Sequence, residues 1–342
     1  AEFVLTLSPD VGSSTNISPA MDTRVYGPEI ADAALQKKLQ IKYKHPELVA
    51  HQDAATRHIR FEIAEANAMS AVGAFGKMVH FVGLPFFPIM TVYDFFIKRA
   101  LDQLYYNLYW RSEFVIMGTP SGVTLSAEGA QHSWKSDLQI PNLVTWEPCF
   151  AQEVDWILAD VIRRHMLDEN DGRRGVLIRA VTRGQKQALL AENLRKHAKH
   201  KVRLKGPLKP KYAGADWGDA HDESTVAALP DAELFARVRG DCLAGGYYLV
   251  DWRGYAGYEP GDNVVQVFVM GALVTEALTA SERLLARGIF ANVIVVSSPD
   301  LLLGILGHQS DYRHLRKGLG ISADLHAVEG AGASEVDLLS IA

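Results

Sequence analysis

Cysteine is scarce: 342 residues contain two, Cys149 and Cys242. Neither lies near a Cys/His pattern with zinc spacing, so a disulfide framework and a zinc-ribbon site are both excluded. Free thiols suit a reducing compartment, and the cytoplasm is the expected location. Long apolar runs are also missing. The most apolar stretch, Phe81 to Met90, carries two prolines and falls well short of the roughly 20 residues that cross a bilayer. No basic region followed by an apolar run opens the chain, so no signal peptide is read there. An excess of one charge is absent too. Lys and Arg number 35 against 40 Asp and Glu, for a net charge of -5, and nothing global points to nucleic acid. Glycine-rich loops of the kinds that cradle phosphate are absent, and no internal repeat or low-complexity tract is found.

What is present describes a globular chain. Hydrophobic residues make up 48% and charged residues 22%, with a mean hydropathy of -0.01. The length accommodates roughly two domains of about 100–200 residues each. The chain opens directly in Phe3-Val4-Leu5-Thr6-Leu7, which reads as a buried strand and suggests a subunit or a piece of something longer. Residues 29–55 are mostly charged and show no core periodicity. Ile59-Arg60-Phe61 reads as a short strand. Ile63, Ala66, Ser70, Ala71 and Phe75 then mark a helix with few bulky residues, suited to close packing. Val92 to Tyr109 has the three- and four-residue recurrence of a helix. Phe114 to Met117, Leu143 to Trp146 and Val176 to Val181 read as strands, with an amphipathic helix over Glu153 to His165. Strands alternating with helices of this length predict an α/β fold, a mainly parallel sheet covered by helices.

From 185 to 260 the pattern fades. A basic cluster falls here (Arg195, Lys196, Lys199, Lys201, Arg203, Lys205, Lys209 and Lys211). No aromatic residues interleave it for base stacking, so it reads as a solvated linker or docking surface rather than a nucleic-acid arm. Order returns at Val264 to Val269, followed by a helix through Leu273, Ala277, Leu278, Ser281 and Leu285, and a strand over Asn292 to Val296. The expected organisation is therefore a first α/β domain over 1–184, a linker over 185–260, and a second, apparently incomplete α/β domain over 261–342.

Four segments share an order and spacing with a known family. Ile63-Ala64-Glu65 opens a helix after Arg60-Phe61. Phe95-Phe96-Ile97-Lys98-Arg99-Ala100-Leu101-Asp102-Gln103 follows. Next comes Gly122 through Glu128-Gly129-Ala130-Gln131-His132. Finally, Ile140-Pro141-Asn142-Leu143 leads through Trp146-Glu147-Pro148 to Glu153. Together these resemble the pyrimidine-binding domain of the transketolase superfamily. The third and fourth segments look most like the homodimeric pyruvate dehydrogenase component of 2-oxo acid dehydrogenase complexes. The strand–helix–strand unit at 264–296 resembles the family's C-terminal domain.

The resemblance implies a thiamin-diphosphate-binding fold and assigns roles. Glu65 corresponds to the glutamate that hydrogen-bonds the pyrimidine ring nitrogen of thiamin diphosphate and favours the imino form of its exocyclic amine. A buried carboxyl able to carry a proton would suit this task. Phe95 or Phe96 corresponds to the ring stacked on the aminopyrimidine, and both remain open. Arg99, Asp102 and Gln103 read as packing or dimer contacts. Glu128 and His132 match positions lining the substrate channel, His132 being the second catalytic candidate. Two departures stand out. The family has glycine where Glu62 or Ile63 stands, and close relatives carry a histidine-rich insertion where this chain continues Ser133-Trp134-Lys135.

The family anchors the diphosphate through magnesium and a Gly-Asp-Gly motif with a downstream asparagine. This sequence has Gly218-Asp219, Gly240-Asp241 and Gly261-Asp262, but never that triplet. The magnesium ligands are therefore expected on a diphosphate-binding partner domain or subunit, within a homo- or hetero-oligomer. The implied activity is decarboxylation of a 2-oxo acid, pyruvate foremost, with acyl transfer to a lipoyl-bearing acyltransferase. Two alternatives stand beside it: a transketolase-type two-carbon transfer, and a non-catalytic subunit that keeps the fold. No nucleic acid or membrane partner is expected.

Overall fold

The structure is a computed structural model that describes residues 3–9, 25–26, 48–49, 57–119, 140, 142–167, 175–198, 229–253, 255 and 257–303. The chain divides into two compact units, Ala1–Thr145 with Asp160–Thr182, and Trp146–Ala159 with Arg183–Ala342.

The strands of the first sheet are β1 (Val4–Ser8), β2 (Val25–Tyr26), β3 (Leu48–Val49), β4 (His58–Arg60), β5 (Phe87–Val92), β6 (Phe114–Gly118), β7 (Leu143–Trp146) and β8 (Gly175–Arg179). They run in the order β3-β2-β4-β1-β5-β6-β8-β7, and the pairings of β1, β2, β4, β5, β6 and β8 are parallel. Central parallel strands are covered on both faces and so need apolar residues at successive positions. Phe114-Val115-Ile116 of β6 and Val176-Leu177-Ile178 of β8 meet that need, and all six side chains are buried. The expected α/β architecture with a parallel sheet is thus the one observed.

Helix α1 (Glu65–Val82) joins β4 to β5 and ends at Gly83, whose φ of 71° and N–H bond to Val79 O stop the helix. Its buried stripe is Glu65, Ala68, Met69, Val72, Gly73 and Gly76. The positions marked from sequence do not form that stripe: Ile63 is 72% exposed, and Ala66, Ala71 and Phe75 are only half-buried. Small residues, not bulky ones, choose the packing face. A Cβ at Gly73 would fall 2.0 Å from Asn107 Oδ1, and one at Gly76 would fall 2.0 Å from the backbone oxygen of Glu113. Asn107 is held there by donating to Met69 O at 2.7 Å.

The helix expected over Val92 to Tyr109 is shorter. Val92 ends strand β5, a 3₁₀ segment spans Asp94–Ala100, and helix α2 covers Leu101–Tyr109. Strand β5 is hard to read from sequence because Pro88, which cannot donate to a ladder, lies inside it opposite Leu5.

In the second unit, α4 (Ala188–Ala198), α5 (Asp231–Ala244), β9 (Gly246–Val250), β10 (Val264–Val269), α6 (Val274–Leu285), β11 (Phe290–Val296) and α7 (Pro299–Leu303) follow α3 (Ala151–Leu167). Strand order is β10-β11-β9, with β10 parallel and β9 antiparallel to β11. The stretch 185–260 is therefore no simple linker, since α4, α5 and β9 lie in it. Leu190, Leu194, Leu234, Tyr247, Leu249 and Trp252 share a core with Val293 and Val295. The pattern is faint in sequence because α5 buries only Leu234 and Cys242. Of the basic cluster, Arg195 pairs with Asp231, and Lys196 stands 5.9 Å from the Trp252 ring; residues 199–211 lie outside the described residues. Both cysteines are free and buried. Among the described residues, no helix is long and apolar enough to cross a membrane.

Candidate active site

Strand β1 lies between β4 and β5, so α1 must carry the chain across β1. The direction of strand addition reverses here, and such a switch point opens a crevice at the carboxyl ends of parallel strands. The start of α1 and the segment after β5 both arise at that edge.

Glu65 is the first residue of α1. Although it sits in a first turn, where a carboxylate usually faces water, only 5% of its surface is exposed. It lies on the stripe that the small residues of α1 turn inward. Its Oε1 accepts a hydrogen bond from Arg99 Nη1 at 3.0 Å. Glu62, three residues earlier, differs. It pairs with Arg60 at 3.1 Å and its side chain is 44% exposed. Glu62 also has φ of 54°, the left-handed region that favours glycine. The glycine that the family carries at 62 or 63 thus has a conformational reason at 62.

The 3₁₀ segment supplies the aromatic wall. Phe95 is buried and Phe96 half-buried; their centroids are 4.4 Å apart and the rings nearly perpendicular. Tyr93 flanks both, at 5.7 Å and 5.9 Å. The Arg99 guanidinium lies 3.9 Å from the centre of the Phe96 ring. Glu65, Arg99 and Phe96 therefore form one cluster, with Phe95 behind it. The segment is tied down by Asp94, whose Oδ1 accepts from Arg179 Nε at 2.9 Å at the end of β8. Gly118 leaves room for that pair, since a Cβ there would fall 2.9 Å from Asp94 Oδ1.

Arg99 and the Asp94–Arg179 pair escaped the sequence reading as site features. A signal for Arg99 existed, because it follows Phe96 by three residues in a helical segment and so shares its face. Nothing local could pair Arg179 with Asp94. Glu128 and His132 lie outside the described residues.

Other buried ionisable groups lie elsewhere. His58 sits between Thr6 Oγ1 at 2.9 Å and Ser8 Oγ at 3.0 Å; burial, assisted by the Arg60 charge, lowers its pKa to about 4, so it is neutral. His165 Nδ1 lies 3.2 Å from Glu113 Oε2. In the second unit, Glu153 Oε2 accepts from the backbone N–H groups of Cys149 and Phe150. Its Oε1 has no hydrogen-bond partner, although the Tyr247 hydroxyl faces the carboxyl, and burial pushes its pKa up to about 7. Burial also raises both thiols, which leaves them protonated and poorly nucleophilic.

Residues 35–177 match the profile of the pyruvate dehydrogenase E1 component middle domain. A pyruvate dehydrogenase E1 component from Buchnera aphidicola subsp. Schizaphis graminum is 32% identical over 113 residues, covering 30% of this chain and 12% of that protein. One from Cupriavidus necator is 29% identical over 134 residues, or 37% of this chain and 15% of that protein. The matched stretches thus span a small part of these relatives. Among solved structures, a transketolase variant from Pichia stipitis superposes with a TM-score of 0.49 at 14% identity, over 91% of this chain and 34% of that one. Transketolase from Leishmania mexicana gives a TM-score of 0.45 at 15% identity, over 86% and 33%. Residues 35–177 are thus similar to the middle domain of the pyruvate dehydrogenase E1 component.

Proposed function

We propose that this chain supplies the aminopyrimidine-binding half of a thiamin-diphosphate site in an enzyme that decarboxylates a 2-oxo acid, with pyruvate as the substrate and a lipoyl group as the acyl acceptor. The observation that carries the reading is the buried Glu65 carboxyl beside the face of Phe96. A flat, hydrogen-donating group fits there, because the Arg99 guanidinium already lies on that ring and donates to that carboxylate. An aminopyrimidine that carries a proton on its ring nitrogen has the same two properties. The diphosphate and its magnesium are assigned to a partner domain or subunit, in line with the absence of a Gly-Asp-Gly triplet from the sequence.

When bound, thiamin diphosphate supplies the electron sink for loss of carbon dioxide from the 2-oxo acid. The chain's own residues do the rest of this half-site's work. Glu65 sets its carboxyl at the ring nitrogen and shares the proton there. Phe96 supports the heterocycle from one face, and Phe95 and Tyr93 hold Phe96 in place. The Glu65 carboxyl is itself buried, which strengthens its hydrogen bond to the ring. Asp94 and Arg179 fix the aromatic segment to the end of the sheet. Glu128 and His132 are assigned to the substrate channel, His132 as the group that holds a substrate oxygen or moves a proton.

The experiment is pyruvate-dependent reduction of an artificial electron acceptor by this chain combined with a diphosphate-binding domain of a relative. Glu65→Gln is expected to lower turnover by at least about 100-fold, the scale of losing a positioned proton donor, with an unchanged circular-dichroism spectrum and melting temperature. Near-wild-type turnover in that variant refutes the assignment. Sugar-phosphate two-carbon transfer by the pair, without pyruvate turnover, would refute the substrate.

A further inference from the structure

We propose that Arg179 is a positioning residue for the heterocycle site, acting from β8 across a glycine gap in β6 to set how tightly the cofactor's ring is held. It rests on the reading of Glu65 and the aromatic segment as that site, and it adds a determinant of affinity that lies two strands away.

Val92, Gly118 and Arg179 occupy one row across the carboxyl ends of β5, β6 and β8. Thr119 N–H donates to Val92 O at 3.0 Å and Ala180 N–H to Gly118 O at 2.9 Å, so the three strands stay in register to their last residues. Two strand spacings, about 10 Å, separate Arg179 from β5. The gap is bridged from both sides. Arg179 Nε donates to Asp94 Oδ1 at 2.9 Å, and Asp94 reaches back over Gly118 to accept. A Cβ at 118 would fall 2.9 Å from Asp94 Oδ1, 3.3 Å from Ile97 Cδ1 and 3.4 Å from Asp94 Cα. A glycine in the middle of the row is therefore the condition for the bridge. The Arg179 and Asp94 side chains are 4% and 11% exposed, so little water is at hand to replace either partner.

Asp94 opens the 3₁₀ segment that carries Phe95 and Phe96, and no side-chain hydrogen bond caps its start. The segment runs for seven residues, whereas 3₁₀ hydrogen bonds seldom sustain more than three or four. Its local bonding is weak, and the ion pair supplies an anchor from the sheet. Released from it, the segment samples positions in which Phe96 no longer stands beside the Glu65 carboxyl. An entering ring must then select the ordered arrangement, and apparent affinity falls by the fraction of molecules that hold it. Once the ring is bound the segment is ordered and Glu65 is unchanged. Arg179 thus governs binding, whereas Glu65 governs the chemical step.

The test titrates thiamin diphosphate with magnesium into this chain combined with a relative's diphosphate-binding domain, by calorimetry. Pyruvate turnover is measured at saturating cofactor, and both assays run well below each variant's melting temperature. Arg179→Met is expected to raise Kd about tenfold, as when about one molecule in ten holds the ordered segment, while kcat falls by less than about threefold. Gly118→Ala should do the same although both charges remain. Arg179→Lys should fall between Arg179→Met and wild type, because an ammonium keeps the charge and loses the planar fork. In the free chain, the Arg179 Nε–H should exchange slowly with solvent in wild type and about tenfold faster or more in Gly118→Ala. Should Arg179→Met not fold, Arg179→Lys and Gly118→Ala decide the matter. A lowered melting temperature with Kd within about twofold of wild type in these variants, and turnover still lost in Glu65→Gln, overturns the positioning role and leaves the heterocycle site standing. A fall in kcat as large as the rise in Kd overturns it as well. No thiamin diphosphate binding by the wild-type pair overturns both.

Discussion

Replacing Glu153 with glutamine is expected to remove a pH dependence built into the second unit. Its carboxyl is completely buried, takes two backbone N–H groups on Oε2, and faces the Tyr247 hydroxyl, the Cys149 and Cys242 thiols and no cation among the described residues. Burial raises its pKa from 4.5 to about 7. Between those values the native state holds the proton and the unfolded chain does not. This stabilisation is complete below pH 4.5 and is lost as the pH rises through 7. The gap corresponds to about 3 kcal/mol in all, of which roughly 2.5 kcal/mol should vanish between pH 5 and pH 8. Glutamine keeps an acceptor for the two backbone N–H groups and carries no charge. Urea unfolding followed by tryptophan fluorescence checks this, since Trp156 and Trp252 lie in the second unit's core. Wild type should lose stability from pH 5 to pH 8, and Glu153→Gln should lose markedly less. A variant that keeps the wild-type slope, or a wild-type unit that gains stability over that range, refutes the reasoning.

His58 makes the opposite demand on the first unit. Its pKa falls from 6.5 to about 4, so the unfolded chain binds the proton more readily and about 3 kcal/mol is lost as the pH drops from 6.5 to 4. The protection factors of β1 and β4 amides, exchange rates corrected for the pH dependence of intrinsic exchange, should fall over that window. Gly73→Ala and Gly76→Ala each push a methyl group into atoms that lie 2.0 Å from its position, at a cost of about 1–3 kcal/mol. The Gly76 variant should melt lower, because its obstacle is backbone. Glu62→Gly relieves the left-handed conformation at φ of 54° and is expected to stabilise the first unit by up to about 1 kcal/mol in urea; a loss above that size would contradict it.

The alternation of apolar strands and amphipathic helices was legible wherever a strand was buried on both faces or a helix had a stripe of its own. Strands β6, β8 and β11 are of the first kind and α6 of the second, whereas β10 was legible from its apolar run although only Val269 in it is buried. Glu65 could be placed at the mouth of α1 because helix starts are local events. Strand β5 was hidden by Pro88, and α5 by how few of its residues reach the core. Which face of α1 turns inward was decided by Gly73 and Gly76 fitting against Asn107 and Glu113, and no periodicity in α1 alone contains that information. The pairing of Glu65 with Arg99 across 34 residues, and of Asp94 with Arg179 across 85, follows from where parallel strands end. Local sequence determines which residues form each element, since backbone propensity and hydrophobic period act over a few residues. Only the assembled sheet decides which side chains meet, because strand order and the close approach of helices are settled by packing between distant segments.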